Sequence, residues 1–356
     1  MKRPASILAV LILVATGCFA APVEIIPPEM RGAVQPQVAV APSGRIHVVF
    51  GKDTAIYHTA SADGRSFSAP VKVGELDKLA LRMRRGPRVT ATDKLVLVTA
   101  ISHTDGNLHA WTSADTGRTW KENAPLNTAP KSAREGLQSL AGDGRGLVAA
   151  VWLDLRGKGT ELWGRVSRDG GATWAGDLSI YQSPDGHICE CCVPNVAISP
   201  TGEIAAMWRN WLGGSRDLYT ATSRDGRTFF PAQKLGTGTW KLNGCPMDGG
   251  SLAFTAQKQP LTAWRREGTV FTASGPDAEK LLAPNAAQPL VVTNTGRQAL
   301  LWEAGGSLWI KADEATPGIL AARGRMASAA AFGKGFIVTW EQADGETVRL
   351  MSDIIE

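Results

Sequence analysis

Ser113-Ala114-Asp115-Thr116-Gly117-Arg118-Thr119-Trp120 has three near copies elsewhere in the chain. They are Ser61-Ala-Asp63-Gly-Arg-Ser-Phe67, Ser167-Arg-Asp169-Gly-Gly171-Ala-Thr-Trp174 and Ser223-Arg-Asp225-Gly-Arg-Thr-Phe229. The shared chemistry is that of a hairpin turn. Asp accepts backbone N–H groups across the turn, Gly takes a positive φ, and the closing aromatic tucks beneath. The four Asp residues fall 52, 54 and 56 positions apart. One such turn is a weak signal, but four at near-constant spacing predict a repeat fold.

Working outward from each turn, the unit lengthens. An apolar strand ending in a polar cluster precedes it: 46–50, 95–101, 147–152 and 204–208. The same pattern continues without the turn at 261–264, 299–302 and 336–340. Phe50, Ile101, Trp152, Trp208, Trp264, Trp302 and Trp340 align at steps of 51, 51, 56, 56, 38 and 38. A short apolar strand lies before each of these and a third after it, with a fourth after several of the turns. Short strands repeated in this way predict an all-β chain, a single β-propeller of four-stranded blades. Seven units are counted, at 48 residues per blade over residues 21–356; six blades would need 56. The seventh unit lacks its outer strand. Ala21-Pro-Val-Glu-Ile25 mimics Ala69-Pro-Val-Lys-Val73, so the N-terminal strand is expected to close the last blade and leave no open edge.

Residues 1–20 form a separate object. Lys2 and Arg3 precede an apolar run from Ile7 to Val14 and a small-residue exit through Ala20. This is the pattern of a secretory signal peptide. Cleavage before Ala21 is expected, with lipidation of Cys18 as the alternative, and the exported chain would be periplasmic or secreted. Loss of Lys2 and Arg3 takes the formal net charge from +5 to +3. That balance is too weak to argue for nucleic acid. No second apolar run follows that could span a membrane.

Repeat phase sorts residues by face. The loops before the first strands carry Arg82, Arg84, Arg85 and Arg88, then Arg134 and Glu135, then His187 with Cys189, Cys191 and Cys192, then Cys245, Met247 and Asp248. The turns after the second strands, on the same face, carry Asp105, Asp154 with Arg156, Arg209 with Asn210, Arg265, Glu303 and Glu341, and Arg216 opens a third strand there. Arg offers a planar fork for carboxylate, phosphate or sulfate. Repeated at one phase, it predicts a pocket for an anionic ligand near the axis.

With the export signal, these turns (Asp-boxes) and this arginine-rich face resemble the sialidase (neuraminidase) superfamily over residues 21–356. The runs Arg84-Arg-Gly-Pro-Arg88, Ala133-Arg-Glu-Gly-Leu137, Leu153-Asp-Leu-Arg156, Cys189-Glu-Cys-Cys192, Trp208-Arg-Asn210 and Gly244-Cys-Pro-Met-Asp248 resemble exported bacterial members with Asp-box repeats. The resemblance implies an exo-sialidase-like hydrolase with three Arg on the substrate carboxylate, a Tyr nucleophile assisted by Glu, and an Asp acid/base. Carried onto this chain, Arg88 or Arg85, Arg209 and Arg265 would form the triad. Asp105 or Asp154 would be the acid/base, and Glu135 or Glu341 the assisting carboxylate. Arg134, Arg156, Asn210, Arg216 and Asp248 would line the same anion site. Tyr57, Tyr181 and Tyr219 fall in third and outer strands, not phased to the axis. A Glu135–Asp154 pair supporting inverting hydrolysis, or an acidic-glycan-binding propeller with no chemistry, are the other readings.

The cysteines pose a separate question. Cys189, Cys191, Cys192 and Cys245 fall before the first strands of blades 4 and 5. In an oxidising compartment an even count predicts disulfides, with Cys245 stapling the two blades. Cys191 and Cys192 are adjacent, and a bridge between them would be strained. The competing reading is a soft-metal site for copper or zinc, with His187 and Met247 as further ligands, in a periplasmic copper-handling protein. No cofactor is otherwise required.

Overall fold

The computed structural model describes residues 21–275 and 279–356; the expected leader and Cys18 lie outside them. Twenty-eight strands form seven four-stranded antiparallel sheets, each strand hydrogen-bonded to the next. Blade 3 shows the plan: Gln138–Gly142 nearest the axis, then Val148–Asp154, Glu161–Ser167 and the outer Leu178–Tyr181. The seven-bladed count holds over six. The seventh sheet runs Gly324–Phe332, Gly335–Asp344 and Thr347–Ile355, and its outer strand is Val23–Glu24, paired as Val23↔Ser352 and Glu24↔Met351. No helix among the described residues is long and apolar enough to cross a membrane.

The second strands form the buried layer. Val148–Asp154 is buried along its whole length, and Trp152, Trp208, Trp340 and Phe50 have at most 1% exposure. These side chains fill the wedges between sheets, so each apolar cluster is shared by neighbouring blades. Leu97 and Ile101 of blade 2 pack with Val148 and Trp152 of blade 3. Full burial of one such side chain stabilises by roughly 2–3 kcal/mol.

The Asp-boxes join strands three and four and stitch each blade to the one before it. At Asp115, Oδ1 accepts the Thr119 N–H at 2.9 Å and the Ser113 hydroxyl at 2.8 Å, while Trp120 Nε1 donates to the Gly117 carbonyl at 3.2 Å. Gly117 has φ +91°, and a Cβ there would lie 2.1 Å from the His58 ring of blade 1. Gly171 has φ +98°, and its Cβ would meet Leu97 of blade 2 at 2.7 Å. The glycine is therefore needed twice, for the turn and for the close approach to the preceding sheet.

The closing strand carries its own weight. Ile25 and Ile26 are 2% and 4% exposed and pack with Phe50, Ile337 and Leu350. Ile25→Ala is expected to cost about 2 kcal/mol, the low end for a buried Ile because a terminal strand can settle into the gap. Urea unfolding compared with wild type checks this; an unchanged midpoint would mean that the strand does not hold the ring closed.

Candidate functional site

At the face away from the Asp-boxes, the inner strands begin with a kink that the sequence did not announce. Gln35, Gln288 and Met326 have φ of +57°, +55° and +52°, and each lies at a register shift in its inner strand. No glycine marks these positions. What holds them is a carboxylate from the preceding blade. Glu341 accepts the Gln35 N–H at 2.9 Å, Asp248 accepts the Gln288 N–H at 3.2 Å, and Glu303 accepts the Met326 N–H at 2.9 Å. Glu341 also takes Arg325 Nε at 2.8 Å. Glu341 and Asp248 are thus ties between blades, which corrects the expectation of a catalytic Glu341.

Several arginines expected at the anion site are spent in the same way. Arg209 is 1% exposed. Its fork donates to the backbone carbonyls of Asp248 at 3.0 and 3.1 Å, Arg216 at 2.7 Å and Arg265 at 3.1 Å. Arg88 donates to the carbonyls of Arg84, Arg85, Gly86 and Pro87, and burial lowers its pKa to about 10. Loops leave carbonyls unpaired, and a buried guanidinium with five donors satisfies several at once. Arg156 leans outward to Asp177 and lies 3.8 Å over the Trp163 ring. The guanidinium groups therefore do not converge on one well. The reason is that the chain uses Arg88, Arg209 and Arg156 to close its own loops.

Asp154 is corrected on the same ground. It has no exposure and accepts Ser132 Oγ and Trp152 Nε1, both at 2.7 Å, and Arg156 through N, Nε and Nη2 at 2.8–2.9 Å. Burial pushes its carboxyl up, but the bonds from Arg156, Ser132 and Trp152 outweigh it and hold the pKa below the usual range. Its oxygens are all taken up within its own blade and the loop that leads into it, which is the role of a structural tie rather than of an acid facing a ligand. Asp105 accepts His109 Nε2 at 2.7 Å and the Asn107 N–H at 2.9 Å, in a local turn of blade 2. Asn210 is buried and donates to Tyr181 Oη at 2.9 Å. Tyr181 packs on Trp208 at 4.7 Å, and Tyr57 on Phe50 at 5.9 Å, so two of the three tyrosines serve the sheets. The third, Tyr219, stacks with Trp208 at 6.4 Å.

What remains free gathers at blades 2 to 4. A cavity of about 200 Å³ on the axis is lined by Gln35, Arg84, Arg85, Asn195, Ser251 and Ser328, with Arg88 in its wall. Arg85 uses Nε on the Glu135 carbonyl at 2.8 Å, and its terminal nitrogens make no hydrogen bond among the described residues. The Glu135 carboxylate makes none either. Burial raises its pKa, Arg85 opposes this, and Glu190 adds to the rise. Glu190 Oε2 is itself buried and unpartnered. Arg134 is exposed, and its carbonyl lies 3.0 Å from His103 Nδ1. Arg265 belongs instead to a separate hollow of about 590 Å³ between the turns of blades 5 to 7, with Glu303, Arg323 and Arg325. Glu190, Arg323 and Arg325 were missed because no repeat phase singles them out.

The cysteine loop faces the same end. None of the four thiols is in a disulfide, so the expected pairing is not formed. Cys189 Sγ lies 3.2 Å from Cys192 Sγ and 3.6 Å from Cys191 Sγ. Arg216 Nη1 lies 3.0 Å from Cys189 Sγ, and its guanidinium sits 4.2 Å over the Trp211 ring. His187 stacks on Trp211 at 5.7 Å and Met247 is 41% exposed. His187 does not join the three-sulfur group, which removes it from the expected ligand set.

The profile of the BNR repeat-like domain matches residues 77–310. The chain belongs to that family. Among solved structures, this BNR propeller is similar to an alpha-L-arabinanase of Penicillium chrysogenum complexed with arabinobiose (14% identity, 94% of this chain and 97% of the other, TM-score 0.56). It is also similar to the NanB sialidase of Streptococcus pneumoniae (10% identity, 96% and 71%, TM-score 0.54) and to a PL25 ulvan lyase (11% identity, 92% and 95%, TM-score 0.54). At these identities the likeness is one of fold. The resemblance to the sialidase superfamily holds at that level. No curated protein matches the BNR chain.

Proposed function

We propose that the chain is an exported, sugar-active BNR propeller that takes an acidic sugar, or another small anionic glycan, at the axial cavity and cleaves its glycosidic bond. The observation that carries this reading is the Arg85–Glu135–Glu190 group: Arg85, which lines the cavity, has free terminal nitrogens and lies beside two carboxylates that have no hydrogen-bond partner among the described residues. Arg84 and Arg85 would hold the sugar carboxylate. Glu135, whose pKa burial and Glu190 push upward, would give its proton to the leaving oxygen. Glu190 would take a proton from the water that attacks the anomeric carbon, as in inverting hydrolysis. This replaces the pairing of Glu135 with Asp154 and needs no tyrosine nucleophile. That the structurally similar proteins include a sialidase, an arabinanase and a polysaccharide lyase supports a sugar as ligand.

A panel of fluorogenic acidic glycosides, sialosides and uronides among them, tests the reading. Glu135→Gln is expected to lower kcat at least about 100-fold with KM within about threefold, and Arg85→Ala to raise KM about 10-fold or more. Activity should fall at high pH, where Glu135 loses its proton. A wild-type chain that binds these sugars but turns none over would overturn the hydrolase. It would leave the binding module, a reading favoured by the use of Arg88, Arg209, Asp154 and Glu341 in holding the fold.

A further inference from the structure

We propose that Cys189, Cys191 and Cys192 form a three-thiolate site for copper(I), independent of the sugar reading. The three sulfur atoms all lie within 4.8 Å of one another. Thiolates bonded to one ion at about 2.3 Å sit roughly 3.8–4.0 Å apart, so the separations of 3.2 and 3.6 Å from Cys189 need to open by about 0.2–0.8 Å. The loop that carries them is anchored: Ile188 N donates to the Thr160 carbonyl at 2.8 Å and Cys189 N to the Arg209 carbonyl at 3.0 Å. Cys189 and Cys192 are buried, while Cys191 is partly open to solvent and offers the way in.

Charge and ligand number select the ion. Three thiolates around copper(I) carry a net charge of −2, which is costly in a buried site unless cations lie beside it. Arg216 supplies one, its Nη1 lying 3.0 Å from Cys189 Sγ. Guanidinium cannot ligate a metal, so its place is that of a counter-charge. Cys245 touches Cys191 but stands outside the three-sulfur group, and His187 is stacked on Trp211. A structural zinc site wants four ligands, whereas thiolate sulfur selects copper(I) and three suffice. Each thiol gives its proton to solvent as it ligates, and no electron changes hands.

The test is anaerobic titration of the reduced full chain with copper(I) against a chromophoric copper(I) chelator. One equivalent per chain is expected, with a thiolate-to-copper charge-transfer band. Cys191→Ser, at the partly open position, should weaken binding at least about 100-fold, and Cys192→Ser likewise. Cys245→Ala should stay within about threefold of wild type. The proposal falls if wild type yields its copper to the chelator as readily as Cys191→Ser. It falls equally if Cys245→Ala loses as much affinity as Cys191→Ser, or if peptide mapping of the unreduced chain finds Cys189 joined to Cys192.

Discussion

Lowering the pH from 7 to about 4.5 is expected to remove about 5 kcal/mol of stability through one buried pair of histidines. His47, on the second strand of blade 1, and His58, on the third, are 1% and 2% exposed. Their rings stack at 5.2 Å, with His47 Nδ1 3.0 Å from His58 Nε2. The Trp120 ring of the next Asp-box lies edge-on to His58 at 5.2 Å. Burial lowers the His47 pKa to about 4, helped by Arg45, and burial with the neighbouring His47 lowers that of His58 to about 3. In the unfolded chain both return to the ordinary 6.5. The unfolded chain thus binds more protons across the window from about 6.5 down to the folded values. The contribution is whole above that window and shrinks as the pH falls through it. The Asp-box carboxylates act lower. Backbone N–H groups of Ser66 and Arg65 hold Asp63 down to about 2, so its share is lost only below the ordinary carboxylate range. Urea unfolding at both pH values separates the two. His47→Gln should remove roughly half of the loss between pH 7 and 4.5, and an unchanged loss would clear the histidines of it.

Arg209→Leu is expected to cost about 4 kcal/mol, far more than removal of a surface charge. The leucine would leave the carbonyls of Asp248, Arg216 and Arg265 without this donor, at a blade junction that water does not reach. It would also take a cation from Asp248. Burial already raises the pKa of that carboxyl, against the pull of Arg209, Arg265 and Arg84, and its Oδ1 is unpartnered. Arg209→Lys would recover only part of the loss, because an ammonium cannot reach three carbonyls in a fork. Chemical denaturation of the three proteins decides this. A leucine variant within about 1 kcal/mol of wild type would show that Arg209 is free, as a substrate-binding arginine would be.

The fold was legible because its signals are local. An Asp-box holds its turn with its own Ser, Asp and Gly, so four copies announce four hairpins before any tertiary contact is known. Val23–Glu24 was legible as a partner for the last blade because it repeats the Ala-Pro-Val opening of an outer strand. The site was legible only to the level of a face. Repeat phase placed Arg85, Arg88, Arg209 and Arg265 at the same end, but phase says nothing of which carbonyls a loop leaves unpaired. Arg88 and Arg209 answer that need with their terminal nitrogens, whereas Arg85 gives only its Nε to the Glu135 carbonyl. The kinks at Gln35, Gln288 and Met326 had no sequence mark, since a carboxylate from the preceding blade holds the left-handed backbone that glycine would otherwise supply. The three clustered cysteines were visible as a motif. That His187 stands apart from them depends on the Trp211 stack, which no spacing encodes.

The most direct measurement is a crystal structure of the Glu135→Gln chain soaked with an acidic glycoside. The account predicts the sugar in the axial cavity, its carboxylate on the free nitrogens of Arg85 beside Arg84, and its glycosidic oxygen against residue 135. A sugar seated instead in the hollow beside Arg265 and Arg323, with the axial cavity holding only solvent, would contradict it.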